Sequence, residues 1–425
     1  MQYLFYSNLQ RWMVQRTKPI IEARLLDSFN DLTVAEVGLV CQSFFKCQEA
    51  IKDSVLVQRI VKSLEQNAAK THSIVVSSIA KALRFSRFDQ DTVRWERALV
   101  ACEPVMANWS PSTVSQVTVL ATALKSYHPG LLDIGLEYLM TNLSAVRLKE
   151  ITRTLRALAV FNHQPDSIGE LYESIVRELL STRRKAEVYA YHHIFVSAAW
   201  YLAVAGIYSA DLLATALDES RIHGSRKHAD VSFHAEALQS SVRVEFPQYN
   251  GPFLSQKTLE SLCTERHLTG RDLDAETEKL LYREKVTLDV VNRLRGKYGD
   301  VFSIKRTLPH HHYPDVLFSV EDGPELKVSK CKVDLLNGAW RPQQCPAEWP
   351  CAVVVHGPGS YRAGSNMLMG IENMKVRQLR HLGYRVIEVP HSLSSQMSAG
   401  AFDCWFAQQL LMHCKPVGLK ACEIK

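Results

Sequence analysis

Two carboxylates and a lysine in the stretch 313–328 have types and spacing suited to metal-dependent chemistry on phosphate esters. Asp315 follows a proline, and Glu325 and Lys327 come later in the same stretch. Its alternating pattern, interrupted by Asp-Gly-Pro, predicts a β-hairpin with the two carboxylates on adjacent strands. Carboxylates so placed can hold Mg²⁺ or Mn²⁺, which polarises a phosphodiester and activates water, while the lysine orients that water. The alternative is that these charged residues simply belong to the solvent-exposed tip of a hairpin and have no catalytic role.

Lys375 is a second candidate, because it lies on the apolar face of a predicted helix. The sequence predicts a strand over 352–355, a helix over about 366–382, a cap at Gly383 and a strand over 384–389. A lysine on a core-facing stripe needs water or a carboxylate near its ammonium group. It therefore either extends out along the sheet edge or faces phosphate as a site residue. The stripe consists of Met367, Leu368, Ile371, Met374, Leu379 and Leu382.

The glycine-rich loop 357–364, between that strand and helix, contains Tyr361 and Arg362, which could stack on and pair with an RNA end. The segment 359–366 has the glycine spacing of a phosphate loop but lacks its Lys-Ser/Thr pair, and no kinase catalytic-loop pattern occurs. The run 310–312, three histidines, is interpreted as a loop, because neighbouring strand residues face opposite sides and cannot all bind one metal. We therefore do not expect this protein to be a kinase.

The elements that position these residues begin with a helical N-terminal part. Five segments each combine an amphipathic helical pattern with a polar or proline break, at steps of roughly 40 residues. Such a pattern predicts an α-solenoid of degenerate helical-pair repeats, in which each unit buries its apolar face on its neighbours. The five segments are 33–48, 73–88, 112–128, 147–163 and 189–205.

Aligning these repeats places basic residues on one predicted face. Half of its ten positions are basic and none is acidic. A row of such charges could follow a single-stranded phosphate backbone, whereas the ordinary alternative is a solvated helix face. The residues concerned are Lys46, Lys81, Arg84, Lys125 and Arg156.

Composition sets wider limits. The 425 residues carry a formal charge of +6, a mild basic excess compatible with a polyanionic partner. Ten cysteines without a CxxC pair indicate reduced thiols rather than a disulfide framework. The longest apolar stretch, 195–208, is too short to cross a bilayer, so no membrane span is expected. Basic residues before Glu22 weakly resemble a mitochondrial presequence, and the chain could equally lack one.

Motifs in the last 185 or so residues resemble the FAST kinase domain-containing proteins, which end in a RAP domain. The matching residues are His356-Gly357-Pro358, Tyr361, Lys375 and the run 382–390, with 242–252 and 312–320 upstream. The resemblance implies a small α/β domain similar to the PD-(D/E)xK nuclease fold, with Asp315 and Lys375 in the family's expected places. It also implies mitochondrial RNA as partner and the mitochondrial matrix as location.

The chain departs from the family pattern at one strand. Where that strand commonly reads Glu-x-Asp-Gly-Pro, this chain has Val354, Val355 and His356 before Gly-Pro, and Ser360 stands where a histidine often follows. That strand therefore offers no carboxylate ligand to a metal ion, which favours RNA binding over RNA cleavage.

The expected fold is therefore mostly α, with four parts: a helical repeat arm over 1–220, a helical FAST connector over 221–308, a RAP-type α/β domain over 309–395, and a C-terminal helix and tail over 396–425. The preferred function is a mitochondrial RNA-binding protein acting in processing or stability of mitochondrial transcripts. Two alternatives stay open. One is a metal-dependent endoribonuclease using Asp315, Glu325, Lys327 and Lys375, with Asp315 and Glu325 on the metal. The other is a non-catalytic scaffold of RNA granules that binds RNA-processing or ribosome-assembly proteins.

Overall fold

A computed structural model describes residues 11–86, 92–165, 168–225, 229–262, 280–322, 327–345 and 347–414. These residues are mostly helical, with a small mixed sheet in the C-terminal part. The chain divides into two compact units, which we describe separately. Unit 1 is Met1–Ala190 with Arg362–Ser365, and unit 2 is Tyr191–Tyr361 with Asn366–Lys425. Within the described ranges, no helix combines the length and apolar character that crossing a membrane requires.

Unit 1 consists of helices joined by short connections. Its helices are α1 Arg11–Asp27, α2 Val34–Lys46, α3 Ser54–Asn67, α4 Ser73–Phe85, α5 Thr92–Cys102, α6 Pro111–Leu124, α7 Pro129–Thr141, α8 Leu148–Phe161, α9 Ile168–Leu179 and α10 Lys185–Ala190. Short 3₁₀ turns occur at Phe29–Asp31, Ala68–Lys70, Glu103–Asn108 and Thr182–Arg184.

Local signals in the sequence fix where these helices begin. Thr33 and Glu36 form a capping box at α2, and the Asp53 side chain accepts a hydrogen bond from Leu56 N at α3. Ser110 caps α6, whose first residue, Pro111, needs no hydrogen-bond partner for its nitrogen. Four of the five predicted repeat segments therefore contain α2, α4, α6 and α8, close to their expected bounds.

Alternate helices of unit 1 pack side by side. Helix α2 contacts α4, α4 contacts α6, and α6 contacts α8, while α1, α3 and α5 form a second row in the same way. Their apolar faces lie between the rows, where residues such as Phe44, Ile79, Leu120 and Leu155 are buried. Burial of these faces removes apolar surface from water and holds the helices together.

Unit 2 contains nine helices and seven strands among the described residues. The helices are α11 His192–Val204, α12 Ala210–Ala216, α13 Glu219–Ser225, α14 Ala229–Glu245, α15 Gln256–Leu262, α16 Tyr282–Tyr298, α17 Gly370–His381, α18 His391–Gln396 and α19 Ala399–Cys414. The strands are β1 Ser303–Lys305, β2 Asp315–Glu321, β3 Val328–Ser329, β4 Val333–Leu336, β5 Ala339–Pro342, β6 Glu348–His356 and β7 Arg385–Pro390. Helix α11 lies within the fifth predicted repeat segment.

The main sheet has the order β1-β2-β6-β7, with β3 paired to β2 at one end. Strands β2 and β6 are antiparallel, and β6 and β7 are parallel, joined through α17. Val316 is opposite Val353, and His356 is opposite Pro390. The start of β2 and the ends of β6 and β7 therefore meet at one edge of the sheet.

Both faces of this sheet are covered. Strand residues such as Phe318 and Ile387 pack against Val291 of α16 and Phe402 of α19. On the opposite face, Val354 and its neighbours pack against α17. The strand before α17 and the strand after it match the sequence prediction, and Gly383 ends the helix with the expected left-handed backbone, at φ 99°.

Candidate functional site

Six basic side chains on three helices of unit 1 form the first candidate site, here called the basic surface. Lys46 ends α2, and α4 and α8 supply the others. Lys46, Lys149 and Arg156 are exposed, and the remaining three are partly buried. The basic surface consists of Lys46, Lys81, Arg84, Lys149, Arg153 and Arg156.

Helical periodicity explains why the charges of α8 share one face. Lys149, Arg153 and Arg156 are four and then three residues apart, which places them on one side of a helix. The opposite side of α8 is buried through residues such as Ile151 and Leu158. Packing of the apolar side therefore turns the basic side outward.

Helix α6 links the charges of α4 and α8. The side-chain amide of Gln116 lies within hydrogen-bond distance of both Arg84 and Arg153, and Arg153 Nη1 donates to Ser115 Oγ at 3.3 Å. Gln116 and Ser115 belong to α6, which lies between the two basic helices. These two partners are neutral, so neither of them cancels the positive charges.

These charges are close enough to repel one another. Burial, followed by repulsion from Arg84, lowers the pKa of Arg153 to about 10, although Glu150 offsets part of the effect. Burial and repulsion from Arg153, Lys46, Lys149 and Arg84 also lower the pKa of Lys81. The interaction is unfavourable in the free protein, so a bound polyanion would relieve it.

Two phenylalanines lie among these cations. The rings of Phe45 and Phe85 meet edge to face, with centroids 5.7 Å apart. Lys81 Nζ lies 5.6 Å from the centroid of Phe45, and Arg84 lies over Phe85 at 5.3 Å. Phe85 is exposed, so the surface offers an aromatic ring beside positive charge. Proteins that bind single-stranded nucleic acids use this combination.

The structure brings together four of the five basic residues selected from the sequence: Lys46, Lys81, Arg84 and Arg156. Lys125 follows α6 in a left-handed conformation, at φ 54°, and it is not among the charges that act on Lys81, Arg84 or Arg153 in the described part of the chain. The sequence analysis missed Lys149 and Arg153, which the four-residue spacing along α8 could have identified.

Arg362, which the sequence analysis placed in a loop that binds RNA, is buried within unit 1. Its Nε donates to Phe161 O at 2.5 Å, and its Nη2 donates to Asn162 O. Its guanidinium also lies 4.3 Å from the centroid of Tyr127. These carbonyls stand at the C-terminal end of α8, where a positive charge is favourable.

The second candidate site, in unit 2, contains Asp315 and Lys375. Asp315 begins β2, and Lys375 lies in the buried face of α17. Lys375 Nζ is 2.7 Å from Asp315 Oδ1 and donates to Tyr313 O at 2.7 Å. Asp315 is 0 % exposed and Lys375 is 2 % exposed. Oδ2 of Asp315 has no hydrogen-bond partner among the described residues.

A second ionic group lies at the same edge of the sheet. Arg283 of α16 donates to both carboxylate oxygens of Glu372, at 2.6 and 2.9 Å, and its Nε donates to Val355 O at 2.7 Å. His356 lies between two carboxylates, 3.5 Å from Glu372 and 3.1 Å from Glu388. Burial alone would raise the pKa of Glu372, but hydrogen bonds from His356 and Arg283 outweigh burial and lower it.

Tyr361 stands beside this group and is only partly buried. Its ring meets that of His356 edge to face, with centroids 5.5 Å apart. Burial, with the nearby charges of Glu388 and Glu372, raises the pKa of Tyr361 to about 12. The phenol therefore stays protonated at neutral pH.

Lys327, another predicted catalytic residue, is not brought to Asp315. Lys327 pairs with Glu321 at 2.8 Å and is exposed, at the opposite end of β2, which is roughly 20 Å away for a strand of this length. Glu325 lies outside the described residues. In the ranges that the structure describes, no group of three or more His, Cys, Asp or Glu side chains is arranged to hold a metal ion.

Of the histidines 310–312, His310 and His311 are buried inside unit 2, and His312 is exposed. His310 Nε2 lies 2.8 Å from Gln378 Oε1 and 3.2 Å from Ser241 Oγ. Burial lowers the pKa of His310 to about 4, and burial also lowers the pKa of His311 well below its ordinary value. His312 stacks on Phe233. These contacts hold the segment before β2 against α14 and α17.

No family model matches the chain. The chain is similar to FAST kinase domain-containing protein 5, mitochondrial, of Mus musculus, with 21% identity over 450 residues. It is 22% identical over 451 residues to the Homo sapiens protein and 22% identical over 453 residues to the Pongo abelii protein, both of the same name. Each alignment covers 87% of this chain and 57% of the relative, so the chain spans little more than half the length of the curated relatives it matches.

Proposed function

Because this chain belongs to the FAST kinase domain-containing family, we propose that it binds single-stranded mitochondrial RNA and acts in the processing or stability of mitochondrial transcripts. The names of the relatives confirm the expected mitochondrial location. The matrix as compartment, and RNA-processing or ribosome-assembly proteins as partners, belong to the proposal.

One observation carries the proposal: the basic surface of unit 1. Burial, together with repulsion among cations on α2, α4 and α8, lowers the pKa of Arg153 and Lys81. A folded protein gains nothing from such repulsion, whereas a phosphate backbone turns each of these charges into a favourable contact. Phe45 and Phe85 add ring faces for bases among the same charges.

The arrangement of helices supports the same function. The two rows of alternate helices in unit 1 support a degenerate α-solenoid, an architecture whose surface extends over several repeats. In unit 2, the β2–β6 pair followed by the parallel β6–α17–β7 unit supports a RAP-type domain with a PD-(D/E)xK-like core. In this proposal unit 1 makes the main contact with RNA.

The direct test reverses charge on the basic surface. A Lys81→Glu/Arg84→Glu/Arg153→Glu variant should bind a labelled single-stranded mitochondrial transcript fragment at least roughly a hundredfold more weakly, since each lost phosphate contact also becomes a repulsion. Fluorescence anisotropy at fixed ionic strength measures the affinity.

A second variant controls for net charge, and thermal unfolding of both variants checks that each remains folded. Lys62, Lys70 and Arg97 are exposed residues of unit 1 that lie outside α2, α4 and α8. Changing these three to glutamate alters the net charge by the same amount and should leave most of the affinity. Equal loss in both triple variants would show that binding follows total charge rather than this surface.

A second candidate, a metal-dependent endoribonuclease, is favoured by the pairing of Asp315 with the helix lysine, Lys375. Oδ2 of Asp315 is a buried oxygen that could be a ligand of Mg²⁺ or Mn²⁺, together with Glu325. The bound ion would polarise a phosphodiester. Against this, Oδ1 and Lys375 neutralise each other, and the ammonium group also bonds Tyr313 O. The pair would have to separate before either group contacted RNA.

Incubation of a labelled precursor transcript with Mg²⁺, Mn²⁺ or a chelator decides between the two candidates. Cleavage that requires the metal and is lost in Asp315→Asn would support the nuclease. Binding without cleavage in either protein supports an RNA-binding protein. A chain that binds no RNA but retains protein partners would instead act as a scaffold of RNA granules.

A further inference from the structure

A groove in unit 1 lies between the N-terminal halves of α2 and α4 and is closed at one end by the first turn of α6. Its volume is about 290 Å³. This is close to the lower end of the range for small-ligand pockets, about 300–1,000 Å³. The function proposed above makes no use of this groove.

The groove has an apolar rim and a polar wall. Leu39 of α2 and Ile74 of α4 line the groove and are 49 % and 66 % exposed. The wall contains Ser78, whose hydroxyl lies 3.1 Å from Gln42 Oε1. Two exposed aliphatic side chains can cover the faces of a flat ring, while amide and hydroxyl groups can hydrogen-bond its edge.

Gly38 shapes the groove by letting α2 and α4 approach closely. A β-carbon on Gly38 would lie 2.6 Å from Cγ1 of Val75, so a larger residue would push the helices apart. Both residues line the groove. The depth of the groove therefore depends on a glycine at this helix contact.

Lys81 joins the groove to the basic surface. It lines the end of the groove and also belongs to the cluster of mutually repelling cations. Ile74 and Lys81 are seven residues apart on α4, which corresponds to about 10 Å along the helix. A strand whose phosphates lie on the basic surface would thus have the groove within reach of its bases.

We infer that this groove binds a nucleobase of the single-stranded RNA whose phosphates contact the basic surface. The inference rests on the proposed function and adds to it a base-binding groove separate from the rings of Phe45 and Phe85. The anionic strand complements Lys81, and a flat heterocycle with donors and acceptors complements the apolar rim and the polar wall. Unit 1 would then bind bases as well as backbone, and a strand without bases would bind more weakly.

The test compares a short oligoadenylate and a short oligouridylate with an abasic phosphodiester strand of the same length and charge. The wild-type protein should bind at least one base-bearing strand roughly tenfold more tightly than the abasic strand, corresponding to the burial of a few apolar groups. Leu39→Ala/Ile74→Ala should reduce this preference severalfold, leaving only the part due to Phe45 and Phe85, while affinity for the abasic strand stays unchanged. Both side chains are exposed, so the variant should fold.

The control is Val55→Ala/Val100→Ala, which shortens two exposed aliphatic residues of α3 and α5. It should keep the full preference for bases. Equal affinity of the wild-type protein for all three strands would overturn the inference and leave the proposed function standing, as would a Leu39→Ala/Ile74→Ala variant with unchanged preference. A wild-type protein that binds none of the strands would overturn the proposed function, and the inference with it.

Discussion

Asp315 at the start of β2 and Lys375 in the middle of α17 form a buried ion pair, with Oδ1 and Nζ 2.7 Å apart. The pair connects the edge of the central sheet to the helix that covers it. Because both groups are withdrawn from water, each depends on the other for its charge to be tolerated. The buried ammonium group of Lys375 is therefore stabilised by two partners, the Asp315 carboxylate and the Tyr313 carbonyl, which explains why a lysine is tolerated on an apolar helix face.

Removing one partner of this pair should destabilise unit 2 strongly. We expect Lys375→Met to lower the free energy of unfolding by about 3–5 kcal/mol, because it leaves Asp315 buried and unpaired. The double variant Asp315→Asn/Lys375→Met should recover much of that loss, because no charge remains buried. Urea unfolding of the single and double variants measures the coupling between the two residues.

Lys327 supplies the comparison for this experiment. Its ion pair with Glu321 has a similar length, 2.8 Å, but the lysine is 71 % exposed. Lys327→Met should therefore change stability by no more than about 1 kcal/mol. If Lys375→Met were as mild as Lys327→Met, the buried pair would not have the structural role described here.

The sequence indicated this pair only in part. The helix pattern correctly placed Lys375, Met374 and Leu379 on the buried face. It wrongly included two exposed residues: Met367, which precedes α17, and Ile371, which lies in its first turn. A residue pattern shows which side of a helix is apolar, but the partner of Lys375 lies 60 residues away and follows from strand order alone.

Stability should fall as the pH drops from 6.5 towards 4, partly through His310. Burial lowers the pKa of His310 to about 4 from its ordinary value of 6.5. In that interval the His310 imidazole is protonated in the unfolded chain but neutral in the folded protein, so acidification favours unfolding. The full contribution of this one group is on the order of 3 kcal/mol. Urea unfolding between pH 7 and pH 4.5 measures it.

His310→Gln should reduce this pH dependence, whatever it does to stability at pH 7. His311 also has a lowered pKa, so part of the dependence should remain. Exposed His381 on α17 provides the control, and His381→Gln should leave the curve of the wild-type protein unchanged. An identical pH dependence in His310→Gln and wild type would contradict the assignment.

Arg283 should not be replaceable by lysine. Its guanidinium bonds both oxygens of Glu372 and the carbonyl of Val355, and an ammonium group cannot make all three bonds in that geometry. We expect Arg283→Lys to lower the free energy of unfolding by about 2 kcal/mol. The exposed Arg380, 3.3 Å from Glu388, is the matched position, where Arg380→Lys should be nearly neutral. Similar losses at both positions would mean that the paired hydrogen bonds are unimportant.

The basic surface shows what a repeat pattern can and cannot reveal. Aligning the helices selected Lys46, Lys81, Arg84 and Arg156, which lie near one another in the structure because equivalent helices pack side by side. It also selected Lys125, which lies just beyond the end of α6, and it overlooked Arg153. The long side chain of Arg153 extends to Ser115 of α6 and towards Arg84. An alignment of backbone positions does not show how far a side chain extends.

The salt dependence of RNA binding tests the central claim most directly. If the six cations of the basic surface contact phosphates, the logarithm of the binding constant should fall with the logarithm of salt concentration with a slope of about −4, since each contact to a single strand contributes about −0.7. Replacing Lys81, Arg84 and Arg153 by glutamine should reduce the slope to about −2. An unchanged slope in that variant, or RNA binding with no salt dependence, would contradict the account.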